Sequence, residues 1–273
     1  MELDANHITM LLSLAATGAF SGILAGLLGV GGGIVIVPVL FFLFQSYGVS
    51  PASAMTIAAA TSLATIVPTS ISSVRAHEQK GNVDFGLLRR WAPLTLVGVL
   101  LGSWLVTQID GTWLAALFGL IATLTALNML FRSREAPKSL KFPSGISQSL
   151  MGALIGFLSV MVGIGGGTLS VPLLTLYDFP MRKAVGTSAA IGLIISLPGT
   201  IILLVFGALP ADAPVGTFGL VNVIGFLSIV PLSVFFAPVG ASLANKMNPV
   251  KLKRVFNVAL LCTGLRMLMQ VSL

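Results

Sequence analysis

The hydrophobic residues of the chain fall into ten runs, separated by short loops that hold most of the charged residues. We interpret each run as a helix in a membrane, because about 20 apolar residues at 1.5 Å each span a bilayer core. Two runs of roughly 13 and 10 residues are too short to cross. The predicted helices cover residues 8–29, 34–46, 51–74, 91–107, 112–131, 145–163, 168–177, 184–209, 217–245 and 255–272, of which 217–245 is the longest.

Each short helix follows a cluster of glycines. Gly29–Gly33 reads GVGGG and Gly163–Gly167 reads GIGGG, at matching points of the two halves of the chain. A glycine inside a helix costs about 1 kcal/mol relative to alanine, and lipid offers no partner for the backbone that it releases. A break of this kind at corresponding positions of two halves indicates the binding site of a transporter.

Composition agrees with the hydrophobic pattern. The mean hydropathy is +1.02, and only 8% of residues are charged, against about 25% in soluble domains. The chain is therefore predicted to be a polytopic protein of the lipid bilayer. The net charge of +7 lies in short loops, where it orients the chain in the membrane rather than binding nucleic acid. The N-terminus lacks the basic start of a signal peptide, so we expect the first helix to be retained.

The basic stretches predict the topology. The positive-inside rule places residues 75–90, 132–141, 182–183 and 246–254 in the cytoplasm. This is possible only if each glycine-broken region makes two passes or forms a re-entrant hairpin. The predicted fold class is an all-α polytopic membrane protein with two inverted repeats, each a glycine-broken helix or hairpin plus three spans.

The halves are assigned as a first repeat at 1–134, a cytoplasmic linker at 135–144 and a second repeat at 145–273. Four landmarks recur at one constant offset along the chain. They are Pro93 with Pro231, Gly102 with Gly240, Phe118 with Phe256 and Met129 with Met267.

The candidate site combines backbone amides with hydroxyls. Successive glycine N–H groups bind anions, and the helices that begin at Ile34 and Thr168 add positive dipole ends. Thr-Ser pairs in the next helix of each half are neutral donors. Close helix packing by the glycines, and hydroxyls bonded to their own helix, remain alternatives. The candidate substrate-binding residues are Gly29, Gly31, Gly32, Gly33, Thr61, Ser62, Gly163, Gly165, Gly166, Gly167, Thr168, Thr187 and Ser188.

Ionisable residues are expected outside the spans. His7 and His77 are assigned to the terminus and to a loop, so neither is a strong proton-relay candidate. No phosphate-binding loop, catalytic constellation or metal-ligand spacing is present in the sequence, and no cofactor or enzymatic activity is expected. The acidic residues, all assigned to loops or ends, are Glu2, Asp4, Glu78, Asp84, Asp110, Glu135, Asp178 and Asp212.

Three segments carry a resemblance to a known family. The segments GLLGVGGGIVIVPVL (26–40), GFLSVMVGIGGGTLSVPLL (156–174) and AVGTSAA (184–190) resemble the sulfite exporter TauE/SafE family over nearly the whole chain. The resemblance implies a bacterial inner-membrane permease that moves small sulfur-containing anions such as sulfite or sulfonates, often outward. The first half departs from the pattern, with Ala60-Thr61-Ser62 where the second half has Gly-Thr-Ser.

The sequence thus predicts a secondary transporter, an exporter of small anions that works by alternating access around a central site. Its expected partners are the anionic solute and the lipid bilayer, and a homodimer is left open. A passive anion channel and a non-transporting accessory subunit of the membrane remain alternative functions.

Overall fold

The computed structural model describes residues 5–131, 145–243 and 249–271. Within them the chain forms ten helices and one two-stranded sheet. The helices are α1 Ala5–Leu28, α2 Gly33–Ser46, α3 Pro51–Glu78, α4 Phe85–Val106, α5 Gly111–Phe131, α6 Ile146–Val162, α7 Gly167–Leu176, α8 Met181–Val205, α9 Val223–Leu243 and α10 Pro249–Val271. The strands β1 Thr217–Phe218 and β2 Val221–Asn222 pair antiparallel between α8 and α9. The predicted 135–144 linker, the basic residues of 132–141 and Lys246 lie outside the described residues.

Four of the described helices, α3, α4, α8 and α9, are long and apolar enough to span a membrane. They differ in their depth within the protein. The most apolar stretch of α3 is 83% buried, whereas that of α9 is only 28% buried. The all-helical, polytopic class is therefore confirmed, with α3 at the centre and α9 at the periphery.

The helix α1 runs parallel to α9 in close contact. A methyl group added to Gly22 of α1 would lie 2.4 Å from the carbonyl oxygen of Ser233, and one on Gly26 would lie 1.9 Å from that of Ala237. Small residues allow such backbone approach between membrane helices. Because α9 follows the loop at 210–216, α1 starts on the face that holds this loop.

The helices α6 and α4 repeat this arrangement. A methyl group on Gly156 of α6 would lie 2.4 Å from the carbonyl oxygen of Thr95 in α4, and Gly152 lies against Trp91 one turn earlier. The first helix of each half thus packs against the fourth helix of the other half, and both pairs run parallel.

One face of the protein holds the loops at 47–50 and 210–216. The backbone N–H of Ser50 donates to Oδ2 of Asp212 at 2.7 Å. Hydrogen bonds from the hydroxyls of Ser53 and Ser50, and from this N–H, lower the pKa of Asp212 to about 2. Since α2 ends at Ser46, the α1–α2 hairpin begins and ends on this face and makes no net crossing.

The opposite face holds the basic residues of the α3–α4 connection. Lys80 Nζ donates to the carbonyl oxygen of Ala241 at the end of α9 (2.9 Å), and the backbone N–H of Asp84 donates to Oγ1 of Thr187 near the start of α8 (2.9 Å). The described basic stretches 75–90 and 182–183 therefore share a face, as predicted. The Ser149 hydroxyl bonds to the Arg90 carbonyl oxygen, so the α6–α7 hairpin starts and ends here.

Several predicted boundaries were wrong on this basic face. The helix α3 continues to Glu78, so His77 is a buried residue of its last turn rather than a loop residue. No glycine or proline lies between the predicted end at Val74 and Gly81, which has φ +67°. Basic residues are also favourable at a helix C-terminus. Arg89 and Arg90 lie inside α4, because the side chain of Asp84 caps that helix by accepting the Leu87 N–H at 2.9 Å.

The segment 184–245 was also divided wrongly. Arg182 and Lys183 form the first turn of α8, and that helix ends at Val205 rather than 209. The segment 217–245 is not one helix, and α3, with 28 residues, is longer than α9. Gly216 and Gly219 have positive φ and allow the tight β1–β2 hairpin. Its buried Leu220 and Val221 made the hairpin resemble a continuous apolar helix in the sequence.

Candidate functional site

The two glycine clusters meet in the interior, backbone against backbone. A methyl group added to Gly31 would lie 3.4 Å from the Cα of Gly165, and one added to Gly165 would lie as close to the Cα of Gly31. A methyl group on Gly167 would lie 1.7 Å from the carbonyl oxygen of Gly29. The ends of the two hairpins therefore touch without any side chain between them.

A second pair of glycines reproduces this contact. A methyl group on Gly33 would lie 2.7 Å from the carbonyl oxygen of Gly163, which also accepts a hydrogen bond from the Ser62 hydroxyl at 2.7 Å. Gly33 follows the first break as Gly167 follows the second. Because the Ser62 proton is committed to this carbonyl, Ser62 cannot donate to an anion at the same time.

The glycine conformations leave backbone donors without acceptors. Gly31 and Gly32 have φ +72° and +78°, values that L side chains rarely adopt. Gly32 and Gly166 precede α2 and α7, and neither helix has a side-chain cap at its N-terminus. In the described part of the chain, the N–H groups of Gly31, Gly32, Gly165 and Gly166 form no hydrogen bond. Such groups at helix N-termini can hold an anion.

The two predicted threonines at 61 and 187 are buried and act as acceptors. Oγ1 of Thr61 accepts the backbone N–H of Asn222 at 2.8 Å, and Oγ1 of Thr187 accepts that of Asp84 at 2.9 Å. Each joins its helix to the connection between two other helices. A hydroxyl that accepts still has a proton to donate, so both remain able to bind an anion.

The remaining predicted hydroxyls differ from each other. The hydroxyls of Ser188 and Ser170 lie 2.7 Å apart, and Ser170 also bonds to the carbonyl oxygen of Gly166, so Ser188 is tied to the second break. Thr168 is buried and its hydroxyl has no partner among the described residues. It lines a cavity of about 260 Å³ between α5 and α7, on the flank of the junction rather than between the hairpins.

The sequence analysis did not identify two further residues near the junction, Ile66 and Asn222. Ile66 of α3 covers both glycine clusters, since a methyl group on Gly31 or on Gly165 would lie 3.2 Å from its Cγ2. Buried Asn222 of β2 accepts the N–H of Gly225 and so caps the start of α9. For Ile66 a signal was present in the sequence, because it lies four residues after Ser62, one turn along the same helix face.

Among the side chains that the structure describes, His77 is the only ionisable one that is buried, with 2% exposure. Its Nε2 lies 2.8 Å from the carbonyl oxygen of Gly26, three residues before the first break. A carbonyl only accepts, so Nε2 carries the proton, while Nδ1 has no partner. A titratable group therefore lies beside the α1–α2 hairpin, contrary to the sequence-based expectation.

Two hairpins that touch through glycines in the middle of a helical, polytopic protein are typical of membrane transporters. More specifically, the chain belongs to the sulfite exporter TauE/SafE family, whose model matches residues 14–267. This confirms the family to which the glycine motifs pointed.

Relatives of similar length support this class. A probable membrane transporter protein of Haemophilus influenzae is 31% identical, over 96% of this chain and 99% of its own. Another probable membrane transporter protein, from Methanocaldococcus jannaschii, is 28% identical over 98% of this chain and 99% of its own. The probable inner membrane transporter protein TsaS of Comamonas testosteroni is 26% identical over 63% of this chain and 67% of its own. No solved structure was found to match the chain.

Proposed function

We propose that the protein is a secondary transporter that exports small anions, in particular sulfur-containing ones such as sulfite or organosulfonates, by alternating access. The observation that carries the proposal is the buried junction of the two glycine clusters, where backbone N–H groups that have no acceptor among the described residues come together. The family description supports the sulfur-containing class of substrate.

The paired contacts of the two halves support an inverted-repeat mechanism. The contact of α1 with α9 has its counterpart in that of α6 with α4, and the contact of Gly167 with Gly29 has its counterpart in that of Gly33 with Gly163. The two hairpins start from opposite faces. A twofold axis in the membrane plane would produce this pattern, and exchange of the two hairpin conformations would expose the site to one side and then the other.

We place the face with Lys80, Arg182 and Lys183 in the cytoplasm of a bacterium, following the positive-inside rule. The Comamonas relative is named a probable inner membrane transporter protein, which supports this location. The junction residues are all buried, so the structure corresponds to a closed conformation of the proposed transporter.

Flux measurements test the transport mechanism. Purified protein in liposomes loaded with sulfite should show efflux that saturates with concentration, and external sulfite should accelerate exchange of labelled internal sulfite. A channel would show neither saturation nor counterflow. An accessory subunit would give the flux of protein-free liposomes, which are the control, and that result would remove the proposed function altogether.

Labelling of introduced cysteines tests the orientation. In a Cys262→Ser background, needed because Cys262 is exposed, Ala211→Cys should react with an impermeant thiol reagent added to intact cells. Gln79→Cys should react only after the cells are opened, because it is exposed on the opposite face. Equal labelling of both in intact cells would contradict the assigned topology.

A further inference from the structure

Arg266 of α10 lies far along its helix from the basic stretch 246–254. The bond from Lys80 places the end of α9 on the basic face, so α10 starts there and runs towards the opposite face. Near its other end, Nε2 of Gln270 donates to Oε1 of Gln45, which precedes the last residue of α2. Arg266 is one turn before Gln270, about 6 Å beneath that opposite face. A cytoplasmic orientation signal therefore does not explain this arginine.

A cavity of about 480 Å³ lies between α2 and α10, with Arg266 in its wall. The described side chains that line it include no carboxylate, and no ion pair joins Arg266 to an acidic residue in the described part of the chain. A charge inside a membrane span needs a partner, so we expect an anionic group in this cavity. The lining residues are Phe42, Gln45, Ser46, Arg266, Met269 and Gln270.

The hydrogen-bond donors of the cavity wall are free to bind such a group. The Cζ of Arg266 lies 4.4 Å from the centroid of the Phe42 ring. This contact fixes the cation through the π face of the ring and uses none of the five N–H donors of the guanidinium. The amide of Gln270 has two N–H donors, and its bond to Gln45 uses only one of them. A positive charge and an amide donor thus lie one helical turn apart in the same wall.

The size and position of the cavity favour a lipid headgroup over the transported anion. Its volume lies within the range of about 300–1,000 Å³ that is typical of sites for drug-sized ligands, more than an anion as small as sulfite needs. Phe42 is nine residues, or about 14 Å, along α2 from Gly33 of the glycine junction. Leu265 and Met269, which flank Arg266 on α10, are 42% and 64% exposed. In a bilayer these apolar side chains face lipid.

We propose that this cavity binds the headgroup of an anionic phospholipid, with its phosphate at Arg266 and Gln270 and its acyl chains beside Met269. The planar guanidinium matches the geometry of a phosphate, and basic pockets between membrane helices bind lipid headgroups. The lipid carries a net negative charge, because no carboxylate lines the cavity to receive the ammonium of a zwitterionic headgroup. The site joins α10 to α2, one arm of the first hairpin, and its occupation requires no transport.

Calorimetric titration of the purified full-length protein in a nonionic detergent, with dioctanoyl phosphatidylglycerol, tests this site. Arg266→Gln should weaken binding about tenfold, since it removes a charged hydrogen-bond donor. Arg266→Lys keeps the charge without the planar fork and should fall between the two. The matched control is Arg89→Gln, which removes the same charge from an exposed residue of α4 on the basic face and should leave the affinity unchanged.

Two further measurements separate the headgroup from a general effect of charge or folding. Wild-type protein should bind phosphatidylcholine with the same acyl chains at least tenfold more weakly than phosphatidylglycerol. Gln270→Leu retains the arginine and should weaken phosphatidylglycerol binding about fivefold. Thermal unfolding without lipid shows whether each variant is folded. If Arg266→Gln is not, the lysine variant and Gln270→Leu decide the result.

The outcomes distinguish the lipid from the transported anion. Equal binding of the two phospholipids by the wild type, or unchanged phosphatidylglycerol affinity in the folded variants at positions 266 and 270, would overturn the proposal. Calorimetric binding of sulfite that is lost in Arg266→Gln, while phosphatidylglycerol binding is retained, would assign the cavity to the transported anion instead. Because sulfite flux does not enter the lipid titration, a failure of the proposed transport function would leave the lipid site standing.

Discussion

Gly167→Ala is expected to prevent the two hairpins from meeting and to leave little folded, transport-competent protein. The added methyl group would lie 1.7 Å from the Gly29 carbonyl oxygen and 2.6 Å from the Cα of Val30, and a backbone cannot move aside as a side chain can. Overpacking costs typically 1–3 kcal/mol, and we expect about 3 kcal/mol or more here. Thermal unfolding of the purified protein measures the loss of stability, and sulfite flux in liposomes measures the loss of transport.

The neighbouring variant Gly166→Ala is the matched control. Its methyl group would first meet side-chain atoms rather than backbone, Cδ1 of Ile195 at 2.6 Å and Cγ2 of Ile191 at 2.8 Å, and side chains can shift where a backbone carbonyl cannot. We therefore expect a folded protein with a loss of stability of about 1 kcal/mol. Equal melting temperatures for the two variants would show that the junction is less closely packed than described.

This comparison divides the glycines of the clusters by role. Gly29, Gly163 and Gly167 lie where backbones touch, so the packing interpretation applies to them. Gly32 and Gly166 instead precede helices, and their N–H groups have no acceptor within the part of the chain that the structure describes. The sequence shows four glycines within five residues in each cluster. Only the position of the partner hairpin distinguishes those that pack from those that are free to bind.

Much of the helical architecture could be predicted, because long apolar runs in a membrane have few alternatives to helix. The short helices α2 and α7 were found because glycine clusters interrupt those runs. Two features were missed because the pattern of apolar and charged residues does not show where a helix ends. Apolar Leu220 and Val221 concealed the turn of the β1–β2 hairpin, and Arg75 was taken as the start of a loop although α3 continues through it.

The site was less predictable than the fold because its partners come from distant segments. Ser62 was identified as a possible ligand, but only the structure shows its bond to Gly163 of the other half. Thr61 accepts the backbone N–H of Asn222 from the other half, and nothing in either local sequence indicates this contact.

The position of His77 bears on the energy source of transport. The sequence analysis placed every acidic residue and both histidines outside the spans, a pattern that favours movement of the anion without a proton. His77 is instead buried at the end of α3 and bonded to Gly26 of the α1–α2 hairpin. A hairpin that moves during transport would alter this bond, so the histidine is the residue through which a proton could be linked to the anion.

We nevertheless expect electrogenic uniport, because the described acidic residues Glu78, Asp84, Asp110, Asp178 and Asp212 lie in connections or at helix ends. None of them continues a proton path from His77 through the spans. An inside-negative potential of 100 mV favours export of one negative charge by about 2.3 kcal/mol. Liposomes clamped at 0 and at 100 mV, inside negative, should therefore sustain gradients of methanesulfonate, a strictly monovalent anion, that differ by a factor of about 50.

The variant His77→Gln separates uniport from proton coupling. Glutamine retains an N–H donor for the Gly26 carbonyl oxygen but does not titrate between pH 5 and 8. For a uniporter, the variant should keep the voltage dependence of the wild type, and a pH gradient at zero potential should drive no net efflux of methanesulfonate, which does not titrate in this range, through either protein. Efflux from the wild type that follows the pH gradient at zero potential, and is lost in His77→Gln, would instead show that His77 carries the proton.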